Sequence, residues 1–288
     1  MQLGCTLPVL AWIAEHEPQS LARAVAVLTG KDFIRLRLTN TIGWDETEAA
    51  VAPGSAVARD FDLSLLPMFG LSEYRGLFPR VHRSEAIAGA ITAEAGAMTG
   101  LAEGTPVVFG AGDTPASVIG AGAGTPGLAC TILGTTCLNG LVVDKPLFEP
   151  RDLGLLFAVP GGLWMKTMVN VAGTSNIDWC LRALCPDLAD RTTSFDALAA
   201  LAEAGGVGAE GVVYAPYLSA TGIIAPRIEG GARAGFFGCD PNHRPEHLVR
   251  AVYEGVAFAI RDCYPAMGPR PQAVRLVGGG APSPFGRR

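Results

Sequence analysis

The sequence predicts an α/β fold in which short strands run into glycine turns. Hydrophobic residues make up 49% of the 288 positions, charged residues make up 17%, and 37 residues are glycine. This composition is typical of a globular α/β enzyme and excludes a disordered or fibrous chain. A chain of this length can bury a sizeable core, as one large domain or as two ordinary ones.

Charge and cysteine content exclude several other classes of protein. The net charge is −5 and no run of Lys or Arg exceeds two residues, so nucleic acid is not an expected partner. Seven dispersed cysteines without CxxC spacing predict buried, reduced thiols, not a disulfide framework or zinc site. Of the four histidines, His243 and His247 flank Pro245 and are expected to act at a helix start and not as metal ligands. The first residues contain neither a signal peptide nor a membrane span, which predicts a cytoplasmic protein without a membrane partner.

The first hundred residues are predicted to form mainly helices and turns. Helical spacing of apolar residues predicts three helices, over residues 21–28, 33–38 and 86–98. Glycine is expected to end the first and the last of them, at Gly30 and near Gly100.

The pattern changes at about residue 104. A turn precedes a short buried strand, predicted from Val107 to Phe109, and GAGD follows at residues 110–113. Pro115 to Gly120 predicts a helix directly after Asp113. Gly124 to Gly127 favours a domain boundary, which divides the chain into residues 1–125 and 126–288.

Strands and helices alternate in the second half. Two apolar runs, Leu128 to Leu133 and Leu138 to Val143, flank GTTC at residues 134–137 and predict a strand–turn–strand hairpin. The other predicted elements are strands over 163–171 and 273–277 and helices over 176–184, 195–204 and 245–264.

Three glycine turns each close a predicted strand: GAGD at 110–113, GTT at 134–136 and GGG at 278–280. Such turns can offer several backbone N–H groups to one anion, and threonine hydroxyls can add donors. A carboxylate near them suits phosphoryl transfer, in which it accepts the proton of the attacking hydroxyl. Two alternatives stay open, because a glycine turn is often only a tight turn and Asp113 is placed to cap the helix behind it. The chain has neither a Walker P-loop nor a GxGxxG fingerprint, so the sequence does not support a P-loop NTPase fold or a Rossmann fold.

Residues 4–16, which begin GCTLPV, and residues 232–255, which begin ARAGFFG, are two stretches that resemble, in this order along the chain, the signatures of the FGGY carbohydrate kinases, members of the actin/sugar-kinase superfamily. Residues 4–16, GCTLPVLAWIAEH, resemble the first signature, with Val9 where many members have lysine. Residues 232–255, ARAGFFGCDPNHRPEHLVRAVYEG, resemble the second, from which only Cys239 departs. Between them, Ser219 to Pro226 replaces a Glu-Arg pair usual in the family.

The resemblance implies the two-domain, actin-like (ribonuclease H-like) ATPase fold of the sugar kinases. It implies ATP-dependent phosphorylation of a sugar or polyol, pentulose-like in character, with Mg²⁺ accompanying ATP. By position, Asp113 matches the general base. The nucleotide-binding positions match Gly134, Thr135 and Thr136 for the phosphates, Gly279 and Gly280 for adenosine, and Gly173 and Asn176 near another nucleotide-contacting loop. The expected partner is a small-molecule sugar or polyol, and a homodimer is left open.

Departures from the family pattern lie at both ends of the chain. Members are longer and begin with an Asp-x-Gly-Thr phosphate loop, whereas this sequence starts after that region. At the other end GGG should continue into a helix, but Pro282 and Pro284 are not compatible with one. We therefore expect a fold incomplete at both ends, and a non-catalytic remnant of such a kinase is the alternative function. An oxidoreductase that uses the glycine turns for a dinucleotide is a third, weaker interpretation.

Overall fold

The computed structural model describes residues 5–51, 53–189 and 193–281, which fall into two compact units. The first unit comprises Met1–Ser117 and Phe157–Trp164, and the second comprises Val118–Leu156 and Met165–Arg288. Gly4, which opens the first signature, and Pro282 and Pro284 lie outside the described residues.

The first unit consists of short elements around a small apolar core. Its helices are α1 (Thr6–His16), α2 (Pro18–Ala22), α3 (Gly30–Thr39), α4 (Glu46–Ala49), α5 (Ala93–Thr99) and the start of α6 (Asp113–Gly120), with 3₁₀ helices at Leu63–Phe69 and Ser72–Leu77. Its strands are β1 (Trp44–Asp45), β2 (Gly54–Ser55), β3 (Asp60–Phe61), β4 (Val81–His82), β5 (Ile87–Ala90) and β6 (Pro106–Val108). They pair as β1 with β4 in parallel, and as β2 with β3 and β5 with β6 antiparallel. One buried cluster of this unit consists of Leu7, Leu10, Leu21, Leu66 and Leu71.

The second unit is built on a larger sheet covered by helices. The strands that lie wholly or partly in it are β7 (Leu128–Leu133), β8 (Cys137–Val143), β9 (Leu155–Val159), β10 (Leu163–Asn170), β11 (Val213–Ala215), β12 (Gly235–Phe237) and β13 (Ala273–Val277). Its helices are α7 (Ser175–Leu184), α8 (Pro186–Ala189), α9 (Ser194–Ala204) and α10 (Pro245–Ala266), with a 3₁₀ turn at Ala209–Gly211. The five-stranded sheet has the order β13-β7-β8-β10-β9.

Helix α10 supplies much of the packing in the second unit. Its apolar face buries Val249, Val252, Val256 and Cys263, and the first two join a cluster with residues of α7, α9 and β11. The helix starts where the sequence predicts, because proline fits the first turn and the His247 ring accepts a hydrogen bond from the Arg244 N–H at 3.1 Å. The predicted helix-start role of His247 is confirmed.

Most predicted elements of the second half are confirmed. The hairpin forms as β7 and β8, the two later strands form as β10 and β13, and the three later helices form as α7, α9 and α10. Strand β9 was not predicted. All seven cysteines are free and five are buried, which fits the predicted buried thiols. No helix in the described part of the chain is long and apolar enough to cross a membrane.

The helix predicted over residues 21–28 is wrong beyond Ala22. The Val27 N–H donates to the Leu77 carbonyl at 2.8 Å, so this segment takes a partner distant in sequence in place of a helical one. Gly30 begins α3 and does not end a helix, because the Thr29 side chain caps α3 by accepting from the Asp32 N–H at 3.3 Å.

The helix predicted over residues 86–98 is correct only in its second half. Residues 87–90 form β5, because they pair with β6. Thr92 then caps α5, and Gly100 ends it in the left-handed region at φ 77°, as predicted. The strand predicted over 107–109 is not buried as a whole: Pro106 and Val108 are exposed in the two-stranded sheet, and burial begins at Phe109.

Candidate active site

Two of the predicted glycine turns lie side by side because their strands are parallel neighbours. β13 pairs in parallel with β7, with Val277 opposite Ile132, so both strands end at the same edge of the sheet. The Gly280 N–H donates to the Leu133 carbonyl at 3.1 Å across this edge. Ligands of α/β sheets characteristically bind beyond the carboxyl ends of parallel strands.

A third loop, residues 173–176, packs against the first of these turns. The Thr174 N–H donates to the Gly134 carbonyl at 2.8 Å, and the Ser175 hydroxyl donates to the Thr135 carbonyl at 3.2 Å. A Cβ at Gly173 would lie 2.3 Å from the Thr135 oxygen and 2.4 Å from the Gly134 oxygen, so only glycine fits. We call the turns at 134–136, 173–176 and 278–280 the three-turn surface.

The three-turn surface presents hydrogen-bond donors to solvent. The Gly134 N–H donates to the Thr136 carbonyl at 3.0 Å and closes the hairpin. Thr135, Thr136 and Gly279 are exposed, and their backbone N–H groups donate to none of the described residues. Exposed N–H groups beside two threonine hydroxyls are suited to an anion such as a phosphate.

Asn176 supports this surface from behind. Its side chain is fully buried, donates to the Gly173 carbonyl at 3.3 Å and accepts from the Tyr214 hydroxyl at 3.0 Å. Burial raises the pKa of Tyr214 to about 12, so the phenol stays a donor at neutral pH. The amide of Asn176 is thus engaged in holding the loop.

Two further polar residues hold the same loop, and sequence reasoning did not identify either of them as part of the site. The Asn170 side chain accepts from the Ala172 N–H at 3.0 Å, and the Cys137 thiol donates to the Ala172 carbonyl at 3.4 Å. Burial, with a smaller contribution from Cys263, raises the pKa of Cys137 to about 12 and keeps it protonated. A polar residue at the end of an apolar strand, as at Asn170, is the one signal that could have drawn attention to them.

Asp113 lies in the first unit at the first residue of α6, with an exposed side chain. The Gly112 carbonyl accepts the first helical hydrogen bond, from the Ala116 N–H at 2.9 Å, so Gly112 occupies the capping position. Of the residues that the structure describes, only the adjacent Thr114 donates to the Asp113 carboxylate, through its N–H at 2.6 Å. Among the described residues its second oxygen accepts no hydrogen bond, which leaves that oxygen available to a ligand.

The GAGD turn is held by groups far away in sequence. The Gly110 N–H donates to the Ser84 carbonyl and the Gly112 N–H donates to the Thr47 hydroxyl, both at 2.8 Å. The Phe109 carbonyl, just before the turn, accepts from the Lys31 and Arg35 side chains at 3.4 Å.

Three of these residues, Lys31, Thr47 and Ser84, converge on the fully buried carboxylate of Asp45. One oxygen accepts from the Thr47 N–H at 2.8 Å, the Thr47 hydroxyl at 2.6 Å and the Ser84 hydroxyl at 2.7 Å. The other pairs with the Lys31 ammonium at 3.0 Å. Asp32 also pairs with the Lys31 ammonium, at 2.8 Å, and with the Arg35 guanidinium, at 2.5 Å. We call Lys31, Asp32, Arg35, Asp45, Thr47 and Ser84 the Asp45 cluster. Sequence reasoning missed it, since charge over residues 31–48 is also typical of solvated helices.

Glu48 completes the surroundings of the turn. Its carboxylate lies 3.0 Å from the position that a Cβ on Gly112 would take. Burial raises the pKa of Glu48, and the charges of Asp45, Asp32 and Asp113 add to this, while Lys31 opposes it.

Comparison with known proteins matches both parts of the chain to domains of one family. Residues 1–120 match the N-terminal domain of the FGGY family of carbohydrate kinases, and residues 129–288 match the C-terminal domain of that family. The chain belongs to the FGGY family. The family resemblance predicted from the two signatures is confirmed.

Similar FGGY proteins include kinases named for two substrates. The chain is 34% identical to an erythritol kinase of Brucella abortus, over 92% of this chain and 53% of that protein. It is 34% identical to a xylulose kinase of Escherichia coli, over 100% of this chain and 58% of that protein. A crystal structure of xylulose kinase from Rhodospirillum rubrum superposes with a TM-score of 0.82 at 27% identity, covering 99% of this chain and 57% of that one. The predicted actin-like α/β fold class is thus confirmed, and the chain spans somewhat more than half the length of these relatives.

Proposed function

We propose that this FGGY protein transfers the γ-phosphoryl group of ATP to a hydroxyl of a sugar or polyol, with Asp113 as general base. The observation that carries the proposal is the convergence of two turns predicted from the sequence, at 134–136 and 278–280, with the loop at 173–176 that the family resemblance implied, on one surface with exposed donors. The names of the relatives favour a xylulose-like ketose or an erythritol-like polyol as the acceptor.

The two family matches support a division of roles between the two parts of the chain. We propose that residues 1–125 belong to the N-terminal kinase domain and contain the base. Residues 126–288 belong to the C-terminal domain and bind the nucleotide. In this assignment Gly134, Thr135 and Thr136 contact the phosphates, and Gly279 and Gly280 lie against adenosine. Gly173 and Asn176 hold the intervening loop in place.

In the proposed step, Asp113 accepts the proton of the substrate hydroxyl as its oxygen bonds to the γ-phosphorus. The bond from that phosphorus to the oxygen bridging it to the β-phosphate breaks, and ADP leaves with the electron pair. The available oxygen of Asp113 fits this role, because a base must be able to reach the proton that it removes.

Magnesium would accompany ATP and offset the charge of its phosphates. Within the described residues no group of three His, Cys, Asp or Glu side chains could hold a metal. We propose that magnesium is held mainly through phosphate oxygens and water, because Mg²⁺ rarely takes an all-protein cage.

The test is Asp113→Asn, assayed with xylulose and erythritol as acceptors. We expect kcat to fall by roughly 10²–10⁴-fold, because the general base is lost, while the Kd for ATP is unchanged. Asp60→Asn is the matched control, since Asp60 is also exposed in the first unit and accepts from the N–H of the next residue, at 2.7 Å. This control should keep full turnover.

The outcomes separate the alternatives. Turnover of Asp113→Asn within tenfold of the parent rejects Asp113 as the base. A parent chain that binds ATP but phosphorylates neither acceptor, nor a wider panel of sugars and polyols, supports the non-catalytic alternative.

A further inference from the structure

We infer that Thr47 is a positioning residue for Asp113, acting through the backbone N–H of Gly112. The inference rests on the proposed function of Asp113 and adds a residue that does not touch the reacting atoms. Thr47 lies in α4, 65 positions before the glycine that it contacts.

The hydrogen-bond pattern fixes the orientation of the Thr47 hydroxyl. A hydroxyl has one proton to donate, and this one goes to the Asp45 carboxylate at 2.6 Å. The Thr47 oxygen must therefore be the acceptor toward the Gly112 N–H at 2.8 Å. Thr47 is 1% exposed, so no water replaces either contact easily.

The other side of the turn is bonded to the same carboxylate. The Ser84 hydroxyl donates to Asp45 at 2.7 Å, and the Ser84 carbonyl accepts from the Gly110 N–H at 2.8 Å. Gly110 and Gly112 are thus each held by a residue that is itself anchored on Asp45. Asp113 follows directly, so the backbone that carries the proposed base is fixed on both sides of the turn.

Removal of the hydroxyl would leave the Gly112 N–H buried without an acceptor. The peptide between Ala111 and Gly112, which carries this N–H, would then rotate to find another partner, and the backbone that bears the Asp113 carboxylate would move with it. A displacement of about 1 Å in a reacting group can cost on the order of 10²-fold in rate. Binding of ATP would be unaffected, because Thr47 contacts none of the proposed nucleotide-binding residues.

The experiment compares Thr47→Val, Thr47→Ser and Thr39→Val in steady-state kinetics and amide hydrogen exchange. Thr47→Val should lower kcat by about 10- to 100-fold, leave KM for ATP within twofold and speed exchange at the Gly112 amide, which loses its acceptor. Thr47→Ser keeps the hydroxyl and should restore most of the turnover. Thr39 is the matched control, because it is buried and its hydroxyl donates to a backbone carbonyl, that of Arg35, at 2.9 Å.

Several results would overturn the inference that Thr47 positions Asp113. Unchanged kcat in a folded Thr47→Val chain, unchanged exchange at Gly112, or failure of Thr47→Ser to restore turnover would overturn the inference. An equal loss in Thr39→Val would also overturn it, since general destabilisation would then explain the effect. A parent chain without activity would overturn the proposed function as well, whereas an active parent with a fully active Thr47→Val overturns this inference alone.

Discussion

The turns of the three-turn surface and the GAGD turn all contain glycine and follow strands, but different kinds of contact hold them in place. At the three-turn surface, backbone lies against backbone: a Cβ at Gly173 would come within 2.4 Å of two carbonyl oxygens, and one at Gly278 within 2.5 Å of another. At the GAGD turn, side chains hold the backbone, and they converge on the buried carboxylate of Asp45.

This difference predicts opposite sensitivities. Where backbone lies against backbone, as at Gly173 and Gly278, an added carbon atom cannot be accommodated, because backbone has no rotamers through which to move aside. A turn held by charged and hydroxyl side chains can adjust to an added atom, but it depends on the hydrogen-bonding and protonation state of those side chains. Three substitutions test the two halves of this comparison.

The largest effect is expected for Gly173→Ala. Its methyl group would overlap the Thr135 and Gly134 carbonyls, so loop 173–176 must move away from the hairpin. We expect a loss of about 3 kcal/mol in unfolding free energy from this overpacking, measured by urea denaturation. ATP binding should weaken with it, because the three-turn surface is no longer assembled.

Gly230→Ala is the control in the same unit, because no atom lies within 4 Å of the added Cβ. It should change stability by less than about 0.5 kcal/mol. If Gly173→Ala binds ATP and unfolds like the parent, the three-turn surface is not as rigid as its contacts indicate.

The same contrast explains how far the sequence could predict the molecule. The hairpin at Gly134 to Thr136 and strand β13 were predictable, because their signals lie in short contiguous stretches: an apolar run, then glycine. The packing of Gly173 on the hairpin was not, although the family resemblance pointed to this loop. The contact of Thr47 with Gly112 spans 65 positions, and no local pattern encodes it.

The errors have the same origin. Residues 87–90 have no strong preference of their own, and pairing with β6 decides that they form a strand. Residues 24–28 have helical spacing, but the contact of Val27 with Leu77 prevails over it. In both cases a partner distant in sequence overrode a local pattern.

An intermediate effect is expected for Gly112→Ala. Its methyl group would lie 3.0 Å from the Glu48 carboxylate oxygen and 3.3 Å from its carbon, both at the end of a flexible side chain. Glu48 can move by a few tenths of an ångström, so we expect a loss of only about 1 kcal/mol, well below that of Gly173→Ala.

A double-mutant cycle with Glu48→Ala identifies the cause of that loss. If the methyl group contacts Glu48, the shorter side chain should remove most of the cost, and the two changes should be non-additive. Additive losses would mean that the strain of Gly112→Ala arises in the backbone, and the two glycine turns would then be alike.

The smallest effect is expected for Glu48→Gln, and it depends on pH. Burial, aided by three neighbouring carboxylates, raises the pKa of Glu48 above its unfolded value. A raised pKa means that the folded chain binds this proton more tightly, so the contribution of Glu48 to stability is present at low pH and is lost as the pH rises through the folded pKa.

Glutamine mimics the protonated acid at every pH. The melting temperature of Glu48→Gln relative to the parent should therefore rise between pH 4 and pH 8. Because burial is the largest cause, most of this rise should survive in 1 M salt, which screens exposed charges beyond about 3 Å. A difference between the two proteins that stays constant from pH 4 to pH 8 would show that the GAGD turn is as indifferent to the protonation of its side chains as the three-turn surface is.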